Sequence, residues 1–491
     1  MRILILRLSS LGDVALLSPV FEDIKRAYPE ARITCLVKSA YAGILQSNPN
    51  VDKVVIFKDF WTTLAELRQH SWDAVLDLHA VLRTRLLTAA LGARWKITYG
   101  KNVLERWRMV LLGHRLNTNH TLERYQKALR SLGIGLKRVV VMQTALMGDV
   151  VLTIPMLRSL RERLNPEELA VVVKPEYASL FLREGFSLIE DDKWSKDRGL
   201  SGFLRILKIL RRGRFDLVLA PQRSLRSALL AWFSGIPLRA GFRSSTGFFL
   251  WNRLAPFDWK EHDTSRNLRL LDAVPLPRQA SGRLSNPGEF RIRLREEDER
   301  RALEIWQDWG VDPRQEFLIG LTPGASRLTK RWLTERFGQL GARLKEEMPG
   351  SRLVLIGGPQ DQMICEQVAV ASGGALNLAG RVNIGDLPGV IRLLKLFVTN
   401  DSGPMHLAWG SGVPTVAVFG PTVRGFGFFP LGPASRVVEV EDLACRPCGL
   451  HGGKTCPQGH FLCMGLITVD QVLASCREVL NKKTETPVAV I

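Results

Sequence analysis

Short apolar runs recur along the chain, with amphipathic segments between them. The first three are RILIL (2–6), ITCLV (33–37) and AVLDL (74–78), and RVVVM, LAVVV and LVLA follow later in the same order. Apolar runs of this length that alternate with helical patterns are typical of buried parallel strands joined by helices. The pattern therefore predicts an α/β protein built on parallel sheets.

One strand, turn and helix start occurs twice. LRLSSLGDVALLSP (6–19) and MQTALMGDVVLTIP (142–155) both contain Gly-Asp-Val-x-Leu-x-x-Pro, which places Asp13 and Asp149 136 residues apart. Four further pairs follow in the same order at almost the same offset: Lys38 with Lys174, Tyr41 with Tyr177, His120 with His262, and Arg124 with Arg266. Ordered matches of this kind indicate a duplicated domain.

We divide the chain into four parts. A first copy of the repeated domain spans 1–136, and a second copy spans 137–290, where a stretch rich in Pro, Gly and Ser marks a crossing between domains. A third α/β domain spans 300–480, and 481–491 is expected to be a frayed tail. The strands expected in the third domain are 317–321, 352–358, 396–400 and 415–420.

The chain carries a net charge of +20 over 491 residues, which is too long for one core. This charge favours an anionic partner such as a phosphorylated substrate or an acidic membrane surface, although a basic and inert surface would look the same. Nucleic acid is disfavoured, because the charge is spread through folded-looking sequence. The longest stretch without Asp, Glu, Lys or Arg, at 402–423, is interrupted by Gly and Pro, so we expect a cytoplasmic protein.

The densest chemistry lies in VTNDSGPMHLAWGSGVPTVAVFGPT (398–422). A strand ends at Asn400, and Asp401, Ser402 and Gly403 then open a helix that carries His406. Free N–H groups at a helix start bind anions, and ligands of open α/β sheets lie at the carboxyl ends of strands. The pattern predicts a diphosphate site, with ordinary helix capping and a core histidine as the alternative.

A second strand end supplies hydroxyl groups and cations. In LTPGASRLTKRW (321–332), Thr322 and Ser326 follow the strand and precede Lys330. Lys330 is placed to neutralise a departing diphosphate, or it is simply a solvated lysine at a helix start. Gln360, after the next strand, is a candidate for binding a ribose hydroxyl.

These motifs together resemble the ADP-heptose:lipopolysaccharide heptosyltransferases of glycosyltransferase family nine. The resemblance covers 137–480 and rests on MGDVVLTIPMLRSL, PQRSLRSALLAWFSGIPLRAGFR, TPGASRLTKRW and NDSGPMHLAWGSGVPTVAVFGPT. It implies a GT-B architecture with the acceptor on the N-domain and the nucleotide-sugar on the C-domain. It further implies inverting transfer of a heptose from ADP-heptose to the lipid A–core acceptor, with no cofactor required.

The resemblance also assigns roles to residues. Asp149 matches the general base, and a merely structural capping role is its alternative. Lys330 matches the lysine that contacts donor phosphate. The other expected donor contacts are Thr322, Ser326, Gln360, Asp401, Ser402, Gly403, His406 and Thr422. Two other functions stay open: a GT-B enzyme that transfers or epimerises another nucleotide-sugar, and a non-catalytic donor-binding scaffold.

The first copy is a departure from the family, which has one N-domain. It keeps Gly12 and Asp13, a candidate second base, and it has Arg7 where the second copy has Gln143. It is expected to compete for the third domain, to pair with another chain, or to serve as an acceptor or membrane platform.

Four cysteines lie close together in CRPCGLHGGKTCPQGHFLC (445–463). Cys445, Cys448, Cys456 and Cys463 have spacings that fit a tetrahedral zinc site, with reduced thiols or cleft packing as alternatives.

Two basic segments mix apolar and cationic residues, KNVLERWRMVLLGHR (101–115) and FLRILKILRRGR (203–214). Each fits contact with anionic lipid at the inner face of a membrane or with an anionic acceptor, or a buried amphipathic helix.

Overall fold

The computed structural model describes residues 1–100, 121–276 and 287–484. Three parallel sheets organise these residues, which confirms the α/β fold class. Each sheet has the same strand order when its strands are numbered from its own first strand, namely 3-2-1-4-5, with a sixth strand added in the second and third sheets. This is the order of doubly wound α/β folds, in which ligands bind outside the carboxyl ends of the strands.

The first sheet belongs to the first copy. Its strands are β1 (Arg2–Leu6), β2 (Arg32–Val37), β3 (Lys53–Ile56), β4 (Trp72–Asp77) and β5 (Ala93–Thr98). Its helices are Leu11–Ala15, Ser18–Ala27, Ala42–Gln46, Phe60–Arg68, Leu82–Ala90 and Thr121–Arg130. Alternate residues of β1 enter two apolar clusters, Ile3 and Ile5 in one and Leu4 and Leu6 in the other. A strand buried on both faces explains the continuous apolar run in the sequence.

The second sheet belongs to the second copy. Its strands are β6 (Arg138–Gln143), β7 (Glu168–Val173), β8 (Ser187–Glu190), β9 (Leu217–Leu219), β10 (Leu238–Phe242) and β11 (Arg253–Ala255). Its helices are Met147–Leu164, Ser179–Leu182, Gly199–Gly213, Leu225–Phe233 and Asp263–Leu270. The helix Met147–Leu164 is buried along much of its length, so the turn before it is held firmly at the end of β6.

The third sheet has two strands that the apolar pattern did not indicate, β14 and β17. Its strands are β12 (Phe317–Thr322), β13 (Ser351–Leu355), β14 (Leu376–Asn377), β15 (Leu396–Asn400), β16 (Thr415–Phe419) and β17 (Ser435–Glu439). Its helices are Glu296–Asp308, Thr334–Glu347, Gln362–Ala371, Leu387–Arg392, Gly403–Gly410, Leu462–Gly465 and Val469–Thr484. β14 has two residues, and β17 is an edge strand that is only partly buried, so neither has a long apolar run.

Chain contacts divide the molecule into two compact units rather than three. One unit contains the first sheet, and the other contains the second and third sheets. The helix Val469–Thr484 runs past 480, so the tail begins later than the sequence predicted. Within the described ranges, no helix has the length and apolarity to cross a membrane.

Candidate functional site

The turn after β6 carries Asp149 in the first turn of helix Met147–Leu164. The Leu146 N–H donates to Asp149 Oδ2 over 3.1 Å, so the carboxylate does take part in capping. The Thr153 hydroxyl donates to the Asp149 carbonyl over 2.7 Å. Asp149 also lines two cavities, so its capping hydrogen bond does not remove it from the surface of either one.

The second turn follows β15, where Ser402 precedes the helix Gly403–Gly410. Pro404 stands at the start of this helix, where a missing N–H costs nothing. The Ser402 hydroxyl lies 3.3 Å from the Thr399 hydroxyl. Pro404 has no N–H and the Met405 N–H donates to the Ser402 carbonyl over 3.2 Å, so among the described contacts of the first three helical residues only the Gly403 N–H is left for an anion.

Asp401 acts through its neighbours rather than facing an anion. The Lys330 ammonium and the Thr422 hydroxyl both donate to Asp401 Oδ2, each over 2.6 Å. Only 14% of the Lys330 side chain and 8% of the Asp401 side chain are exposed. Because a carboxylate repels phosphate, Asp401 is best described as the anchor that fixes the cation beside the Ser402 turn.

The Asp149 turn and the Ser402 turn touch within one compact unit. A Cβ atom built on Gly148 would lie 2.6 Å from the His406 ring, and one on Gly403 would lie 2.9 Å from the Met147 sulfur. Neither glycine has room for a side chain. Two segments that are about 250 residues apart in sequence therefore face each other across a narrow gap, which fixes the Asp149 turn relative to the Ser402 turn.

The junction cavity lies in this gap. It is lined by eight of the residues that the sequence singled out: Asp149, Ser326, Lys330, Asp401, Ser402, Gly403, His406 and Thr422. The outer cavity, of about 820 Å³, shares Ser326, Ser402 and Gly403 with it and adds Thr322 and Gln360. The structure thus brings the expected donor contacts into two adjoining cavities.

The aromatic cavity also borders Asp149 and encloses about 180 Å³. Its lining includes Phe257, Trp259, Phe426 and Phe428 together with Gln143, Gln222, Arg223, Asp263, Asn267 and His451. Asp149 lines both this cavity and the junction cavity. A molecule in the aromatic cavity and an anion at Ser402 would therefore meet at the Asp149 carboxylate.

The protonation of the site follows from burial and nearby charge. Burial raises the pKa of Asp149, while the Leu146 N–H and the positive charges of Lys330 and Arg266 act to lower it. Burial lowers the pKa of His406 to about 3, so its imidazole is neutral at neutral pH. Asp149 is thus the group suited to accept a proton. His406 is neutral, and its ring packs against Gly148.

Several site residues were missed by reading the sequence. Asp263 lines the aromatic cavity but belongs to no motif that the sequence made prominent, and Arg223 and His451 lie within quoted motifs in which the sequence gave them no role. The repeated pair His262 and Arg266 was the available signal, because it marked the helix that begins at Asp263. The ring contacts of Arg223 with Phe257 and Trp259, at 4.4 and 4.6 Å, depend on residues that are distant in sequence.

Asp13 lies in a different setting in the first copy. It forms an ion pair with Arg7 and accepts hydrogen bonds from Ser10. Burial acts to raise the pKa of Asp13, but the ion pair and these hydrogen bonds outweigh it and lower the pKa. Asp13 lines neither of the two cavities that Asp149 lines. Its carboxylate is already paired with Arg7.

The four clustered cysteines are free thiols. Cys448 Sγ lies 3.0 Å from the Cys445 carbonyl, and Cys445 Sγ lies 3.8 Å from His460 Nε2. Over the described ranges, no three Cys, His, Asp or Glu side chains are placed to hold a metal ion. The four thiols are therefore not arranged as the predicted zinc site in the described part of the chain. The loop between the cysteines instead contributes His451, which lines both the junction cavity and the aromatic cavity.

The two basic segments have different outcomes. Residues 101–115 lie outside the described part of the chain. The second segment falls in helix Gly199–Gly213, whose Ile206, Leu207 and Leu210 pack into the core of the second copy. Leu200 and Leu204 on this helix are 72% and 51% exposed. The helix is therefore amphipathic and packed, with an apolar strip left at the surface.

The strand order and the cavity between two parallel-sheet domains define a GT-B-like α/β protein. The chain belongs to glycosyltransferase family 9 (heptosyltransferase), whose family model matches residues 203–458, just over half of the chain. The glycosyl transferase family 9 structure from Veillonella parvula DSM 2008 has a TM-score of 0.61 and 25% identity, covering 71% of this chain and 98% of that one.

Curated relatives carry the same family name. Lipopolysaccharide heptosyltransferase 2 of Escherichia coli (strain K12) is 25% identical over 325 residues, which are 62% of this chain and 88% of that protein. Lipooligosaccharide heptosyltransferase 2 of Campylobacter jejuni subsp. jejuni serotype O:2 is 33% identical over 173 residues, or 33% of this chain. The chain spans about half the length of this relative, 51%.

Proposed function

We propose that the protein is an inverting glycosyltransferase that moves a heptose from ADP-heptose to the inner core of lipopolysaccharide. One observation carries the proposal: Asp149 lines both the junction cavity and the aromatic cavity. In the junction cavity, Lys330 and the Ser402 turn are suited to bind an anion, and the aromatic cavity is suited to bind a sugar. Membership of the heptosyltransferase family supports heptose as the sugar.

The transfer uses one carboxylate and one cationic site. Asp149 takes the proton from an acceptor hydroxyl, and the freed oxygen attacks the anomeric carbon of the donor from the face opposite the diphosphate. The new glycosidic bond forms as the bond from the anomeric carbon to the diphosphate breaks. Lys330 and the Gly403 N–H after Ser402 stabilise the negative charge that develops on the leaving diphosphate. A single displacement of this kind inverts the anomeric centre.

The outer cavity is the proposed nucleoside site. It adjoins the Ser402 turn and contains Thr322 and Gln360, together with a glycine-rich lining that lets a ligand approach the backbone closely. The Thr322 hydroxyl is buried, and among the described residues it has no hydrogen-bond partner. A buried hydroxyl of this kind is suited to a ligand group, since leaving it unpaired costs free energy.

The direct test incubates the full-length protein with ADP-heptose and a lipid A–core acceptor that ends before the heptose. Mass spectrometry should find an acceptor heavier by one heptose and an equal amount of ADP. The D149N variant should bind ADP-heptose and release no product. Retained transfer in D149N would remove Asp149 as the base, and no transfer by the wild-type protein would remove the proposed function.

A second comparison separates ADP-heptose from other nucleotide-sugars. Each candidate donor is added to the protein, and the melting temperature is measured, because only a ligand that binds the native state raises it. ADP-heptose should give the largest rise. A larger rise with another nucleotide-sugar would favour the alternative GT-B function, and a rise without turnover would favour a donor-binding scaffold.

We further propose peripheral contact with an anionic membrane through helix Gly199–Gly213. Leu200 and Leu204 are exposed there, and Lys208 and Arg212 are exposed nearby. Apolar and cationic side chains combined on one helix suit an anionic lipid surface, where the acceptor is anchored. Replacing Leu200 and Leu204 by Ser should reduce flotation with anionic liposomes. Replacing Met363 and Val370, each 75% exposed, by Ser is the matched control.

A further inference from the structure

Asp263 is a second carboxylate in the aromatic cavity, and the mechanism above does not use it. It begins helix Asp263–Leu270 and lines this cavity together with Asp149. The residue is 9% exposed, and its remaining surface faces the cavity that it lines. A buried carboxylate needs partners, so its contacts show what it is built to do.

The described contacts of Asp263 hold it firmly and leave it able to accept more hydrogen bonds. Asn267 Nδ2 donates to Asp263 Oδ2 over 3.1 Å and also to the Leu152 carbonyl, over 3.2 Å, on the helix that carries Asp149. Arg266 Nη2 lies 3.2 Å from Asp263 Oδ1. Because a carboxylate can accept about four hydrogen bonds, each oxygen keeps capacity for a donor in the cavity.

The rest of the cavity has the character of a sugar site. Gln143 Oε1 is buried, and no described residue donates to it. The rings of Phe257 and Trp259 hold the Arg223 guanidinium, and all three residues line the cavity. Acceptor oxygens beside an aromatic wall suit a ligand with several hydroxyl groups and apolar C–H faces.

We propose that Asp263 positions the acceptor: its carboxylate accepts a hydrogen bond from the hydroxyl adjacent to the one that reacts, and its negative charge strengthens Asp149 as a base. This inference rests on the proposed function and names the acceptor class, a sugar with a vicinal diol. Asp149 takes the proton of the reacting hydroxyl, and the hydroxyl bound to Asp263 keeps its own proton.

The charged groups around Asp149 and Asp263 are consistent with these two different roles. Lys330, Arg266, Arg223 and Tyr177 interact electrostatically with Asp149 or Asp263. His406 and His451 share a cavity lining with Asp149, and His262 precedes Asp263 in the chain. Burial, together with the neighbouring Asp149 carboxylate, raises the pKa of Asp263 to about 6 against the lowering effect of Arg266. Asp263 is then mostly ionised at neutral pH, and two nearby carboxylates raise the pKa of each other.

The first copy supplies a natural contrast. Aligned on the shared arginine, Thr121 occupies the place of Asp263, and Tyr125 occupies the place of Asn267. Arg124 matches Arg266, so the cation is kept while the carboxylate and its amide donor are replaced. A carboxylate at the start of this helix is therefore present only in the second copy, whose Asp149 turn faces the Ser402 turn.

The test compares wild type, D263N and D263E in steady-state transfer. D263N should raise the KM for the acceptor about tenfold, the cost of roughly one hydrogen bond, and leave the KM for ADP-heptose unchanged. The acid limb of its kcat/KM profile should move to lower pH, because Asp149 loses a neighbouring negative charge. D263E keeps the charge, so its acid limb should stay while its acceptor KM rises.

Asp298→Asn is the matched control. Asp298 is also a buried carboxylate, paired with Arg183 over 3.0 Å, and it is outside the linings of the three cavities. Its loss should leave the acceptor KM and the acid limb unchanged. An unchanged acceptor KM in D263N would overturn the inference, and if D263N does not fold, an unchanged acceptor KM in D263E would do the same.

A titration separates this inference from the proposed function. The carbon-13 carboxyl signal of Asp149 is followed against pH without any substrate. Asp149 should titrate at lower pH in D263N than in wild type, and an equal midpoint would overturn the coupling. If wild type transfers no heptose, the proposed function fails by itself, and the titration still decides whether Asp263 acts on Asp149.

Discussion

The two repeat copies carry the same turn in opposite electrostatic settings. In the first copy, Asp13 is paired with Arg7, and its pKa is lowered. In the second copy, Gln143 replaces the arginine and donates instead to the Thr153 hydroxyl over 2.8 Å, and burial raises the pKa of Asp149. The residue beside the carboxylate thus differs between the copies, and the pKa of the aspartate is shifted in opposite directions.

The same two turns also differ in what faces them. A Cβ atom on Gly148 would meet the His406 ring, whereas one on Gly12 would have no described atom within 4 Å. A shared motif therefore indicates a shared place in the fold, since both turns connect the first strand of a sheet to a helix. The chemistry depends on the residues that tertiary packing brings to the turn.

The largest expected effect is the loss of Asp149. D149N should lower kcat by about 10³- to 10⁴-fold, near the upper range for a general base. D13N should leave kcat within about twofold, because Arg7 already neutralises Asp13 and a weak base contributes little. Steady-state transfer assays on both variants make the measurement. A loss of activity in D13N as large as in D149N would show that the two turns are chemically equivalent.

Lys330→Ala should have the next largest effect. It removes the cation that Asp401 holds beside the Ser402 turn, so kcat should fall about 10²- to 10³-fold. ADP should also bind more weakly by calorimetry. Lys38→Ala in the first copy is the control, and it should change neither value. Wild-type kcat in the Lys330 variant would place the leaving group elsewhere.

Exchanging the residue beside the carboxylate tests the electrostatic comparison. Gln143→Arg should reproduce the ion pair of the first copy, lower the pKa of Asp149 by about one unit or more and reduce kcat/KM about tenfold. The acid limb of the pH profile should move to lower pH. Arg7→Gln in the first copy should leave the profile unchanged. An unmoved acid limb in Gln143→Arg would show that this position does not set the basicity of Asp149.

The glycines test the packing comparison. Gly148→Ala would force its Cβ into the His406 ring and should destabilise the protein by about 1–3 kcal/mol. Gly12→Ala has open space and a helical position, so it should be neutral or stabilising by about 0.5–1 kcal/mol. Thermal unfolding measures both. Equal melting temperatures would mean that the Gly148 turn and His406 are not in contact.

The smallest expected effect is a shift in pH dependence. Protonated Asp149 cannot accept a proton, so kcat/KM should fall as pH drops through its pKa. Because burial raises this pKa, the midpoint should lie above about 3.9, the usual value for aspartate. A midpoint at or below that value in the wild-type profile would contradict the raised pKa.

Much of the fold, and many residues that line the junction and outer cavities, could be predicted from local sequence. The apolar runs gave most strands of the three sheets, and Ser402, Gly403 and Lys330 stood out because turns after parallel strands have local signatures. β14 and β17 were missed, since a two-residue strand and a partly buried edge strand have weak patterns. The strands β3, β5, β8, β10 and β11 in the two copies were not among the apolar runs either. The cysteine spacing predicted a zinc site that the thiols do not form in the described residues.

The sequence by itself determined where strands end and which turns carry Asp13, Asp149 and the Ser402 helix start, because hydrophobic periodicity and turn chemistry act over a few residues. Only the tertiary structure decided that Asp149 joins two cavities and that Asp263 shares one of them. It also decided that Arg7 forms an ion pair with Asp13. These outcomes depend on contacts between side chains that packing brings together, and on the burial that sets their charge.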